Sequence, residues 1–164
     1  MIFVEMKFYY LALLPATNKE FPYSIHGLWL EKGVDNWDYC PNGGHEFDIE
    51  RLSALLPELH ANWHSSWGTD EHFWKIEWER HGSCTGLTEL EYFQKALDCF
   101  STVKANGKEW VKQRRSDKIP FDLNFQIIPN FNQFVDLKRK RNMANLNSPQ
   151  KKRKLGKKKQ NIYN

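Results

Sequence analysis

The sequence predicts a mixed fold, with strands first and helices after. Two apolar runs rich in β-branched and aromatic residues lie within residues 2–30. A leucine-rich stretch follows, and then a segment opened by a T-x-x-E capping box. A loop rich in Gly, Asn, Asp and Pro separates the strand signals from the helix signals.

Residues 2–14, IFVEMKFYYLALL, predict a strand buried on much of its surface, ended by Pro15. Residues 22–30 predict a second strand carrying His26 near its end, and 31–44 form the loop that holds Cys40. Asp48 is a suitable N-cap for IERLSALLPELHANW, where Leu52, Leu55, Leu56 and Leu59 make the apolar stripe. Pro57 predicts a break or kink within it. Thr69 or Asp70 can cap the next helix, from which Gly82 offers a left-handed exit. Thr88 and Glu91 box the start of YFQKALDCF. One further strand is expected within residues 119–135. From Lys138 the composition is Lys, Arg, Asn and Gln, too poor in apolar area to offset its ordering entropy, so 138–164 is expected to be a disordered basic tail. No internal repeat is visible.

At 164 residues the chain suits one domain with a sizeable core, well supplied with aromatics at 15%. Its net charge of +4 misleads. Eleven of the 24 lysines and arginines lie from 138 onward with no acid among them, so residues 1–137 carry 13 basic against 20 acidic side chains. An acidic body with a basic tail gives no general nucleic-acid signature. The three cysteines show no C-x-x-C spacing, which leaves a zinc-knuckle reading without support. No stretch approaches a membrane span, and Glu5 and Lys7 interrupt the N-terminal apolar run that a signal peptide would need.

The chemistry concentrates in FWKIEWERHGSC, residues 73–84. On a helix Glu77, Arg80 and His81 stand at i, i+3 and i+4 and share one face. An ordinary amphipathic helix with one salt bridge explains that pattern equally well. The second stretch, FPYSIHGLW at 21–29, adds His26 among aromatics. Two imidazoles can cleave an RNA backbone, one taking the proton of the attacking 2′-hydroxyl and the other supplying the proton of the leaving 5′-oxygen. Arg80 would stabilise charge on the phosphate, and Glu77 would orient an imidazole or, when protonated, donate to a phosphate oxygen. Trp29 and Phe73 offer faces for unpaired bases, with Trp74 beside them. No metal or cofactor is required, because the nucleophile belongs to the substrate.

SIHGLW and FWKIEWERHGSC resemble the two active-site segments of the ribonuclease T2 family, whose pattern is close to IHGLWP and FWxHEWEKHGTC. The resemblance runs from about residue 8 to 100. It implies an α+β fold with helices packed on an antiparallel sheet. It implies His26 and His81 as catalytic acid and base, Glu77 as the acidic partner at the phosphate, and Arg80 in place of the usual Lys. It implies Trp29, Phe73 and Trp74 as substrate-binding aromatics, and a Cys40–Cys84 disulfide. The reaction would be transphosphorylation of single-stranded RNA to a 2′,3′-cyclic phosphate, then slower hydrolysis to a 3′-phosphate.

Several residues depart from the family. Ile76 stands where a phosphate-binding His is usual, and Leu30 where Pro is usual. LALLPAT replaces a Gln-Trp-Pro, and the Cys-rich insert before His26 and the later strands are absent. The expected organisation is therefore a ribonuclease-like domain at 1–137 and the tail at 138–164, as a monomer with RNA as partner. The alternative is an impaired relative that binds RNA or a protein. The disulfide favours a secreted or lysosomal compartment. PQKKRKLGKKK, 149–159, resembles a nuclear-localisation sequence instead. His60 and His64 lie four apart with no third metal ligand evident, His45 and His72 read as surface residues, and Cys99 as a buried free thiol.

Overall fold

A computed structural model describes residues 7–31, 39–41 and 45–129. The chain divides into a unit Met1–Ile128, which holds every element below, and a second, Pro129–Asn164. The expected tail and the end of the 119–135 segment lie outside the described residues, as does the start of the first predicted strand.

Three antiparallel strands, β1 (Phe8–Pro15), β2 (Tyr23–Glu31) and β3 (Lys118–Phe121), form a sheet with β1 in the centre and order β2-β1-β3. Among the described residues, four α-helices, α1 (Leu56–Asn62), α2 (Asp70–Glu77), α3 (Glu89–Asn106) and α4 (Lys108–Gln113), complete an α+β architecture. The core joins sheet and helices. Leu11, Leu13, Ile25, Leu28, Ile119 and Phe121 meet Leu52, Leu59, Phe93, Ala96, Phe100 and Val103, all buried.

Local chemistry explains the helix boundaries. Asp48 caps a 3₁₀ segment, Ile49–Leu55, accepting from the Glu50 amide. Pro57 falls in the first turn of α1, where its missing N–H costs nothing. The expected break is thus a change from 3₁₀ to α geometry. Thr69, rather than Asp70, caps α2 by accepting from the His72 amide. The Thr88–Glu91 box is closed in both directions, at 2.8 and 3.2 Å. α3 then runs past the predicted YFQKALDCF to Asn106, and α4 was not foreseen.

Two irregularities position the site. The β1–β2 register pairs Ala12 with Gly27 but Leu13 with Ile25, so His26 is the extra residue of a β-bulge. After Glu77 the helix widens into a π turn, Trp78–Gly82, which carries Arg80 and His81. The expected left-handed exit at Gly82 is not found. Positive φ falls at Gly86 instead. Gly82 is buried, and a methyl group there would collide with the Trp78 ring and press on Tyr92.

Candidate active site

The bulge brings His26 out of the strand alternation while Ile25 and Leu28, three apart, both stay in the core. Trp63 fixes that backbone, donating its indole N–H to the His26 carbonyl at 3.0 Å. Trp74 in turn donates to the Trp63 carbonyl at 2.7 Å, and Tyr92 donates to the Leu28 carbonyl at 2.8 Å. Each buried aromatic thus spends its polar atom on backbone that carries or flanks the site.

Glu77 sits between the two segments and is only 4% exposed. Its Oε2 accepts from Trp29 Nε1 at 2.9 Å, and its Oε1 lies 3.7 Å from His26 Nε2. Gly27 permits this approach, because a methyl group there would collide with both Glu77 Oε2 and Trp29 Nε1. The Trp29 ring stacks on His81 with centroids 5.1 Å apart, and lies 5.0 Å edge-on from His26. Phe73, half-buried, packs 5.8 Å from His26. His26, Trp29, Phe73, Glu77 and His81 therefore form one connected group.

Burial separates the protonation states. It pushes the Glu77 carboxyl up to about 7, against the opposing pull of the Trp29 hydrogen bond and Arg80. It pushes the His81 imidazole down to about 4, helped by the positive charges of His26 and Arg80. His26 is also lowered by burial; Asp117 opposes that shift and Lys118 adds to it. Its side chain is 36% exposed. Between about pH 4 and 7 the site thus holds a neutral carboxylic acid and a neutral His81.

The Cys40–Cys84 disulfide ties the chain at residue 40 to the segment that follows the π turn. It spans 44 positions, and the Cys40 amide donates to the Arg80 carbonyl at 2.7 Å. The adjacent Tyr39 is thereby placed 5.3 Å from His81, with the Arg80 guanidinium 5.2 Å from its ring. Tyr39 was absent from the sequence reading, although its position beside Cys40 was a usable signal.

One expectation needs correction. Trp74 is fully buried, so its ring belongs to the core and has no face for a base. Trp29, half-buried, donates to Glu77 and contacts His81 and the Lys118 ammonium, which lies 5.3 Å from its ring, so it also helps to order the site. His60, in the last turn of α1, bonds Asp70 at 2.6 Å, and His64 follows the helix, which ends at Asn62. Arg80 is exposed and turned to Tyr39. His45 and His72 are exposed, but the His45 carbonyl accepts from Trp78. Cys99 is buried and free.

The Ribonuclease T2 family model matches residues 9–115. Ribonuclease T2 of Sus scrofa is 33% identical over 94 residues, covering 52% of this chain and 44% of the relative. Ribonuclease MC of Momordica charantia is 34% identical over 79 residues, covering 46% and 41%. A ribonuclease MC1 mutant solved in complex with 5′-GMP is similar in structure, with a TM-score of 0.50 and 27% identity over 59% of this chain and 58% of that one. The match spans less than half the length of these two curated relatives.

Proposed function

The chain belongs to the ribonuclease T2 family, and on that footing we propose that it is an endoribonuclease acting on single-stranded RNA by paired histidine catalysis. The observation that carries the reading is Glu77. One carboxyl oxygen holds Trp29, which stacks on His81, and the other faces His26, so both imidazoles are referenced to one buried group.

Neutral His81 takes the 2′-hydroxyl proton as that oxygen bonds to phosphorus. The bond from phosphorus to the 5′-oxygen breaks, and His26 supplies the leaving oxygen with its proton. The product is a 2′,3′-cyclic phosphate, and water attacking with the roles exchanged gives a 3′-phosphate. The low His81 pKa supports its role as base, since a base must be unprotonated. The more open His26 suits the acid, which must reach the leaving group. Protonated Glu77 can donate to a non-bridging oxygen, and Arg80 supplies positive charge. Trp29, Phe73 and Tyr39 would offer their rings to bases. Residues 1–137 would form the catalytic unit and 138–164 an accessory basic segment, in a secreted or lysosomal setting that preserves the disulfide.

Cleavage of a fluorogenic single-stranded RNA, with chelator present, tests the reading. Chelator-resistant cleavage lost in His26→Ala is the expected result, and folded protein without cleavage would overturn it. Ile76, at the position where the family carries a phosphate-binding His, favours a second reading, an impaired relative that binds RNA without turnover.

A further inference from the structure

Lys118 opens β3, beyond the segment that matches the family model. The register sets Lys118 beside Ala12 and Ala12 beside Gly27, so one cross-strand row runs from Lys118 to the glycine over which Glu77 sits. The next row of the same face sets Pro120 beside Tyr10 and Tyr10 beside Trp29. The half-buried Lys118 side chain reaches across this surface. Its Nζ lies 5.8 Å from the Tyr10 ring centroid and 5.3 Å from that of Trp29. The same Trp29 ring contacts both histidines and Glu77.

We propose that Lys118 is a substrate-binding cation of this site, holding a backbone phosphate of single-stranded RNA on the His26 side while Arg80 serves the His81 side. The inference rests on the proposed ribonuclease function for its ligand. Three observations support it. The ammonium is carried by a strand rather than a loop, so the sheet fixes its approach. The Trp29 face holds it by cation–π attraction beside the histidine and glutamate contacts of the same ring. Its charge also reaches His26, which it helps to hold unprotonated. Glu31, buried at the end of β2, feels the same charge and is the competing, purely structural partner.

Binding of a 2′-O-methyl dinucleotide separates these roles, because it carries one phosphodiester and has no 2′-hydroxyl to attack it. Its affinity is measured by calorimetry on the full chain at several salt concentrations, for wild type, Lys118→Met and Lys118→Arg. Methionine keeps the apolar stem on Trp29 and removes the charge. Its expected effect is about tenfold weaker binding, the low end for one charge-assisted contact, with a shallower salt dependence as one charge attraction is lost. Arginine is expected to restore both to near wild type. Unchanged affinity and slope in Lys118→Met would overturn the proposal, as would a Lys118→Arg variant as weak as the methionine. Wild type that binds the dinucleotide but does not cleave RNA would overturn the ribonuclease function alone, with Lys118 still decided by the three titrations.

Discussion

The two histidines meet the same tryptophan ring, Trp29, from opposite kinds of structure. His26 comes from the sheet, on the extra residue of a bulge, with its backbone held by Trp63. His81 comes from a helix that widens into a π turn, stacked on Trp29 and tied down through Cys40–Cys84. The strand histidine stays partly open, and the helical one is pushed down to about 4. Identical side chains are made chemically unequal by how much water each keeps and by the positive charges set beside them.

The sharpest break of that comparison is removal of each imidazole. His26→Ala and His81→Ala should each lower kcat/KM by about 10²- to 10⁴-fold, the usual worth of a general acid or base. The pH profile tells them apart. In wild type, activity should rise as pH passes about 4, when His81 loses its proton, and fall as His26 loses its own below the ordinary 6.5. The His81 variant should lack the rise and the His26 variant the fall. A profile still bell-shaped in both would break the assignment.

The tether offers the next test. Cys40→Ser should cost about 3–4 kcal/mol of unfolding free energy for a loop of 44 positions, read from urea midpoints. Freed of Tyr39, His81 should gain water and its pKa should move up, so the acid limb shifts to higher pH while the alkaline limb stays. A shift of both limbs together would mean that the tether orders the whole site.

Glu77 links stability to pH. Its folded pKa of about 7 lies above the ordinary 4.5, so the folded state holds a proton that the unfolded state releases. Its protonated form is therefore favoured by folding, and its contribution is lost as pH rises from 4.5 through 7. His81 has the opposite sign, and its contribution is lost as pH falls from 6.5 towards 4. Between 4.5 and 6.5 the two slopes offset. Glu77→Gln should gain stability relative to wild type as pH rises through that window, by at most about 3 kcal/mol. A constant difference from pH 4 to 7 would show that Glu77 titrates normally.

The smallest expected effect is a gain. Ile76→His returns a donor beside Glu77 on the half-buried face of α2, and should raise kcat/KM about tenfold or more, as one charge-assisted contact would. No change would argue against phosphate contact from that position.

Much of this was legible in local sequence. Both early strands, the Asp48, Thr69 and Thr88 caps and the leucine stripe follow from near-neighbour chemistry, which the chain carries whatever it packs against. Glu77 and His81 were named by local helical spacing, and His26 joined them through the resemblance of the two motifs to one family. Trp74 misled because an aromatic beside a motif reads alike whether its ring faces solvent or core, and only packing decides. Lys118 was invisible because nothing near residue 118 mentions residue 26 or 29. Their meeting depends on β3 pairing with β1, and β1 with β2.

The sequence by itself determined which residue types were present for the chemistry, and which short elements would carry them. Tertiary structure decided how they differ. The bulge at His26 arises from pairing two strands whose core-facing residues fall out of step. The π turn, by contrast, sits where Trp78 and the glycine at 82 pack against Tyr92. The protonation states follow from desolvation, a property of everything around a group rather than of the group itself. That is why a chain can announce two histidines, yet only the folded molecule sets their protonation apart.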